Sequence, residues 1–177
     1  MTVKARLLEY QQLLKLFFVP KAIKNNIRDI DLLPLFEQGY RKIFLDLDNT
    51  VLAMSERKIS LKFLHWIEEA KVMGFDLFFV SNNSSHKRVE SACVQAKLKG
   101  IYFACKPFVF STRQLMKSIG TQPNKVIIIG DQLFTDVIMA NILGSYSILV
   151  DPLDKKLSFF KTVQRQLELS IVQKLDS

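Results

Sequence analysis

Cysteine is scarce in this chain. Cys93 and Cys105 are its only two, and they form neither a disulfide framework nor a C-x-x-C pair. That excludes a stapled secreted scaffold and predicts reduced thiols in a cytosolic setting. Long apolar runs are missing too. The longest early patch, Leu13 to Val19, is broken by Lys15 and falls far short of the roughly 20 residues that cross a bilayer. Glu9, Gln11 and Gln12 deny the same region the apolar core of a secretory leader. The chain is therefore expected to stay in the cytoplasm, with at most peripheral contact to the inner face of a membrane. Internal repeats, low-complexity tracts, linkers and RNA-binding motifs are also absent. One domain with no nucleic-acid partner is expected from 177 residues.

What is present is hydrophobicity and positive charge. Hydrophobic residues make up 49% of the chain, enough to bury a core, and the net charge is +8. Such a charge suits nucleic acid, an acidic membrane surface or a phosphorylated substrate. It gathers at the ends. Residues 1–28 hold six Lys or Arg against Glu9, and residues 155–177 hold Lys155, Lys156, Lys161, Arg165 and Lys174 against Glu168 and Asp176.

Periodicity and turn residues predict helices over 3–18 (closed by Pro20), 31–38, 60–73 (stopped by Gly74), a serine-capped start to about 97, 108–119 and 133–143. Strands are expected at 42–47, 75–80, 101–104, 125–129 and 147–150. This alternation predicts an α/β fold: a three-layer, doubly wound, Rossmann-like parallel sheet of about five strands with right-handed crossovers. Residues 1–39 and 155–177 are expected to be helical extensions packed on a single domain of 1–177. A basic helix over 157–175 would set Leu157, Phe160, Leu167, Ile171 and Leu175 against its lysines. Such a helix can pack on its own domain, lie on an anionic membrane or meet a partner.

The strand Lys42 to Leu47 ends in two acids, Asp46 and Asp48. Carried through as strand, they would point to one side, roughly 6.5 Å apart. Three more polar clusters fall at strand ends: Ser81-Asn82-Asn83, Lys106-Pro107 and Gly130-Asp131 through Asp136. Parallel strands bring their carboxyl ends to one edge, where open α/β sheets bind ligands. Two carboxylates about 4 Å apart repel by roughly 4 kcal/mol at an effective dielectric of 20. Several together imply a divalent cation, and all-oxygen donors point to Mg²⁺. A carboxylate nucleophile, a second carboxylate to carry a proton, a metal, a lysine and a hydroxyl at a helix start together describe phosphoryl transfer. A receiver domain also uses aspartate and lysine on such a sheet, but the paired acids and the late Gly130-Asp131 do not fit one.

Asp46-Leu47-Asp48-Asn49-Thr50-Val51 resembles the first motif of the haloacid dehalogenase-like (HAD) hydrolases. Ser81, Lys106 and Gly130-Asp131…Asp136 resemble the second, third and fourth, in order, so the likeness covers about residues 40–151. With Leu16-Phe17-Phe18-Val19-Pro20, Asp29-Ile30 and Tyr146 to Val150 added, nearly the whole chain resembles the YqeG-type phosphatases of subfamily IIIA. That group is similar to the yeast-type mitochondrial phosphatidylglycerophosphatases. The resemblance implies Asp46 as nucleophile and Asp48 as general acid/base, its backbone carbonyl on the metal. It implies Ser81 and Asn82 on the phosphoryl group, with Lys106 stabilising the intermediate. Asp131 would bind Mg²⁺ directly, and Asp136 directly or through water. The metal set is thus Asp46, Asp48, Asp131 and Asp136.

Only 35 residues separate Asp46 from Ser81, and 25 separate Ser81 from Lys106. Neither gap holds a cap domain, and an open site suits a large or membrane-held ester. The expected activity is a Mg²⁺-dependent phosphomonoesterase working through an aspartyl phosphate on phosphatidylglycerophosphate, giving phosphatidylglycerol. The alternatives are a soluble sugar, nucleotide or protein phosphate as substrate, and a non-catalytic basic binding protein. Arg57, Lys58, His86, Lys87 and Arg88 are candidate substrate contacts without an assigned role.

Overall fold

The computed structural model describes residues 14–154. Six parallel strands form one sheet in the order β1-β6-β5-β2-β3-β4. They are β1 (Ala22–Lys24), β2 (Lys42–Leu45), β3 (Asp76–Val80), β4 (Lys99–Ile101), β5 (Val126–Gly130) and β6 (Tyr146–Val150). The helices are α1 (Leu33–Glu37), α2 (Leu61–Met73), α3 (His86–Ala96), α4 (Phe110–Ser118) and α5 (Ile138–Leu143).

The apolar runs of β2 and β5 are buried on both faces, as central parallel strands require. Alternation decides which side chain goes where. Ile43, Leu45, Ile127 and Ile129 pack with Trp66 and Ile67 of α2 and Val89 and Ala92 of α3. Phe44 and Ile128 face the other way, onto Met116 of α4 and Met139, Ala140 and Leu143 of α5. These are the three layers expected. The sheet grows outward in opposite directions from the β2–β5 pair, so the carboxyl ends of those two strands form the switch point of the fold. Only α2 and β3 lie between the first and second motifs, and only α3 and β4 between the second and third, so no cap domain is inserted.

The sheet has six strands rather than five. The additional one, β1, joins the edge beside β6, with Ala22 opposite Ile148. Three residues with a half-exposed Ile23 carry too little pattern to read. β4 is shifted back from 101–104 to Lys99–Ile101. The chain leaves the ladder there because Phe103 and Cys105 adopt left-handed φ values of 48° and 57°. Strand β2 stops at Leu45 instead of 47, although the Asp46 N–H still donates to the Ile129 carbonyl at 2.8 Å. The helix expected over 133–143 opens as a π-turn, Leu133–Val137, before α5. Gly74, at φ 104°, ends α2 as anticipated. Of the first expected helix, residues 14–18 are helical, and the rest lies outside the described residues, as does the basic helix over 157–175. Among the described residues, no helix is long and apolar enough to cross a membrane.

Candidate active site

Asp46 is the first residue beyond β2 and is buried. The chain then turns tightly. Asn49 adopts φ 63°, and the Val51 and Leu52 N–H groups both donate to the Leu47 carbonyl, at 3.0 and 2.9 Å. This returns Thr50 beneath the strand end, where its hydroxyl donates to Asp46 Oδ2 at 3.2 Å and lies 3.5 Å from Asp131 Oδ1. Asp131 follows β5, the neighbour of β2, so strand pairing alone sets the two acids side by side. Asp136 arrives on the π-turn and leans over Gly130. A Cβ at position 130 would overlap the Asp136 carboxylate, so glycine is required there by close approach rather than by φ.

Lys106, from the loop between β4 and α4, reaches into this cluster. Its buried ammonium donates to Asp46 Oδ1 and to Asp136 Oδ1, both at 2.6 Å. One carboxylate oxygen each from Asp46, Asp131 and Asp136 lies within 4.8 Å of the others. Burial pushes the Asp46 carboxyl up to about 6, with Lys106 pulling against it and Asp136 adding to the rise. Burial likewise pushes Asp131 up to about 8, reinforced by Asp46 and Asp136. For Lys106, burial alone would lower the pKa, but Asp136 and Asp46 outweigh it and keep the ammonium charged. Three ionised carboxylates around one ammonium sum to a net charge of −2. A hard divalent cation on all-oxygen donors matches both that number and that chemistry.

The Asp48 carboxylate stands apart from the cluster. Its Oδ1 accepts from Arg88 Nε and its Oδ2 from Asn83 Nδ2, each at 2.7 Å. Arg88 is itself held, donating to the Glu56 carbonyl at 2.7 Å and the Ala53 carbonyl at 2.9 Å. Any metal contact from Asp48 is thus left to its backbone. Ser81 is fully buried at the end of β3, and its hydroxyl accepts from the Asn83 N–H at 3.1 Å. Both ends of the Asn82 carboxamide are occupied by the Lys106 backbone, at 2.9 and 2.7 Å, so this side chain brackets the lysine. Asp46, Asp48, Ser81, Asn82 and Lys106 line one open cleft of about 320 Å³. Arg57 and Lys58 sit exposed in the loop after the Asp48 turn, and Lys87 is exposed in the first turn of α3. Of the five cations and histidines left without a role by sequence, Arg88 is the one the fold ties to a site carboxylate. The available signal was its position one turn into the helix that follows Ser81.

In sequence the chain is similar to known phosphatases. The family model described as Mitochondrial PGP phosphatase matches residues 4–153. The Bacillus subtilis protein called Probable phosphatase YqeG is 32% identical over 163 residues, spanning 92% of this chain and 94% of that protein. The Saccharomyces cerevisiae mitochondrial phosphatidylglycerophosphatase GEP4 is 28% identical over 153 residues, spanning 77% of this chain and 82% of that protein. Among solved structures, a HAD-like family hydrolase from Porphyromonas gingivalis superposes with a TM-score of 0.52 at 12% identity. The match covers 73% of this chain and 98% of that one, a likeness of fold.

Proposed function

The chain belongs to the mitochondrial PGP phosphatase family and is a HAD-like phosphatase, and we propose that it is a Mg²⁺-dependent enzyme converting phosphatidylglycerophosphate to phosphatidylglycerol. The observation that carries the chemistry is the buried Lys106 ammonium, 2.6 Å from both Asp46 and Asp136, at the floor of a cleft lined by Ser81. The substrate follows from the family and from the open mouth, which has no cap to close over a small metabolite.

Asp46 attacks phosphorus and forms the aspartyl phosphate. Lys106 fixes the attacking carboxylate and offsets charge on the phosphoryl oxygens. The Ser81 hydroxyl and the N–H groups opening α3 receive those oxygens. Asp48 gives its proton to the departing alkoxide, then takes one from the water that hydrolyses the acyl phosphate. Arg88 and Asn83 hold that carboxyl at the mouth, where the leaving alcohol must exit. Held by Asp46, Asp131, Asp136 and the Asp48 carbonyl, Mg²⁺ would supply positive charge to the phosphoryl group and orient it in line.

The test is turnover by the full chain against a panel of phosphate monoesters. The panel pairs phosphatidylglycerophosphate in vesicles with sugar, nucleotide and phosphopeptide esters, each with Mg²⁺ and with EDTA. Lipid turnover that exceeds the soluble esters and stops with EDTA is the expected result. Preferential turnover of one soluble class would replace the lipid assignment, and turnover in EDTA would reject the metal.

A further inference from the structure

The loop from β4 into α4 exposes aromatic surface beside the cleft. Phe103, Phe108 and Phe110 are 59%, 74% and 71% exposed, and Tyr102 is about half exposed. Burying a Phe side chain is worth about 1.5–3 kcal/mol. Four exposed aromatics within nine residues concentrate apolar surface on one short segment. The same loop carries Lys106 into the active site, and its Phe103 is hydrogen-bonded through the backbone to Asn83, which lines the cleft.

The loop is also held in place. The Phe103 N–H donates to the Asn83 carbonyl at 3.0 Å, and the Ala104 N–H to the Ser81 carbonyl at 2.9 Å. The Tyr102 ring stands edge-on to His86 with centroids 4.9 Å apart. Phe103 is fixed at φ 48°, an outlier for a bulky residue. Strain of this kind persists where surrounding structure enforces it, and it clusters at functional segments. Tyr102 and Phe103, with Ile101 and Leu115, line a groove of about 560 Å³ running toward α4.

Charge surrounds the aromatics. Arg57, Lys58 and Lys87 lie exposed in the segments that follow β2 and β3 at the same sheet edge, against Glu56 and Glu90. Arg113 and Lys117 are exposed on α4. Rings that favour the headgroup zone, flanked by a cationic excess, complement an anionic bilayer.

We propose that the aromatic rim Tyr102-Phe103…Phe108…Phe110 is a lipid-docking surface that inserts into the interface of an anionic membrane and seats the cleft over a phosphate ester held there. The inference rests on the phosphatase reading of the cleft for its purpose, but its test does not depend on turnover.

Full-length protein is sedimented with vesicles of phosphatidylcholine alone and of equimolar phosphatidylcholine and phosphatidylglycerol. Wild type is expected to follow the anionic vesicles and not the neutral ones. The F108S/F110S double variant is expected to partition about tenfold less. Its melting temperature and its turnover of para-nitrophenyl phosphate should match wild type. Both rings are exposed, so the fold does not need them. Wild-type vesicle binding by the double variant overturns the proposal, as does failure of wild type to bind anionic vesicles. So does conversion of a wild-type dimer to a monomer by the double change, which would assign the patch to a second copy. Loss of para-nitrophenyl phosphate turnover in wild type itself would count against the phosphatase reading alone, because sedimentation scores the docking surface separately.

Discussion

At the scale of single residues, two acids two positions apart are given opposite surroundings. Asp46 is buried, tied to Lys106 and crowded by Asp136, while Asp48 is part-exposed and tied to Arg88. A nucleophile needs a fixed, ionised carboxylate, and a proton carrier needs access to solvent and the leaving group. Asp46→Asn preserves shape and leaves Lys106 paired to Asp136. The variant should therefore fold, with an unchanged circular dichroism spectrum, while turnover falls at least about a thousandfold. Retention of a tenth of the wild-type rate would remove Asp46 from the nucleophile role. Arg88→Met removes the one ion pair that Asp48 makes among the described residues. Protonation matters for a poor leaving group and little for an aryl one. The variant should thus lose about tenfold more activity on an alkyl phosphate than on para-nitrophenyl phosphate, with guanidinium restoring part of the difference. Equal losses on both esters would mean that Arg88 only supports the loop. The motif acids were legible because sequence places them at strand ends. The Arg88 contact was not, because nothing in His86-Lys87-Arg88 says which side chain the helix phase turns toward Asp48.

At the scale of elements, the sheet was legible where burial on both faces writes a continuous apolar run, as in Ile43 to Leu45 and Val126 to Ile129. It was illegible at the edges. β1 is too short to show a period, and β4 ends where two non-glycine residues take left-handed φ, a choice imposed by contacts with the Ser81 loop. The close approach of the π-turn to β5 was equally hidden, since Gly130 has an ordinary φ and only the Asp136 carboxylate above it explains the glycine. Gly130→Ala must push that carboxylate off Lys106 or bend β5. Overpacking of this kind costs about 1–3 kcal/mol. A urea midpoint lowered accordingly, together with weaker metal dependence of turnover, is the expected result. A variant with wild-type stability and activity would show that the strand end has slack the geometry denies.

For the whole molecule, the buried acid cluster makes stability depend on pH and on cation together. Burial pushes the Asp46 carboxyl up to about 6 and the Asp131 carboxyl up to about 8 in the folded chain, above the ordinary value of 3.8. Between pH 4 and 8 the metal-free fold therefore binds more protons than the unfolded chain. Linkage then makes its stability fall as pH rises, the contribution being complete below about 4 and lost through 6 and 8. Lys106 does not oppose this trend, because its raised pKa keeps its own contribution intact across that range. A divalent cation competes with those protons for the same oxygens, so its stabilisation must grow as they leave. Melting curves in EDTA should show a lower midpoint at pH 8 than at pH 5.5, and added Mg²⁺ should raise the midpoint chiefly at pH 8. A Mg²⁺ shift of the same size at both pH values, or metal-free stability that climbs toward pH 8, would mean the three carboxylates do not share one cation. The fold would then have to hold them together with Lys106 and protons alone, and the phosphoryl chemistry built on that cluster would lose its charge balance.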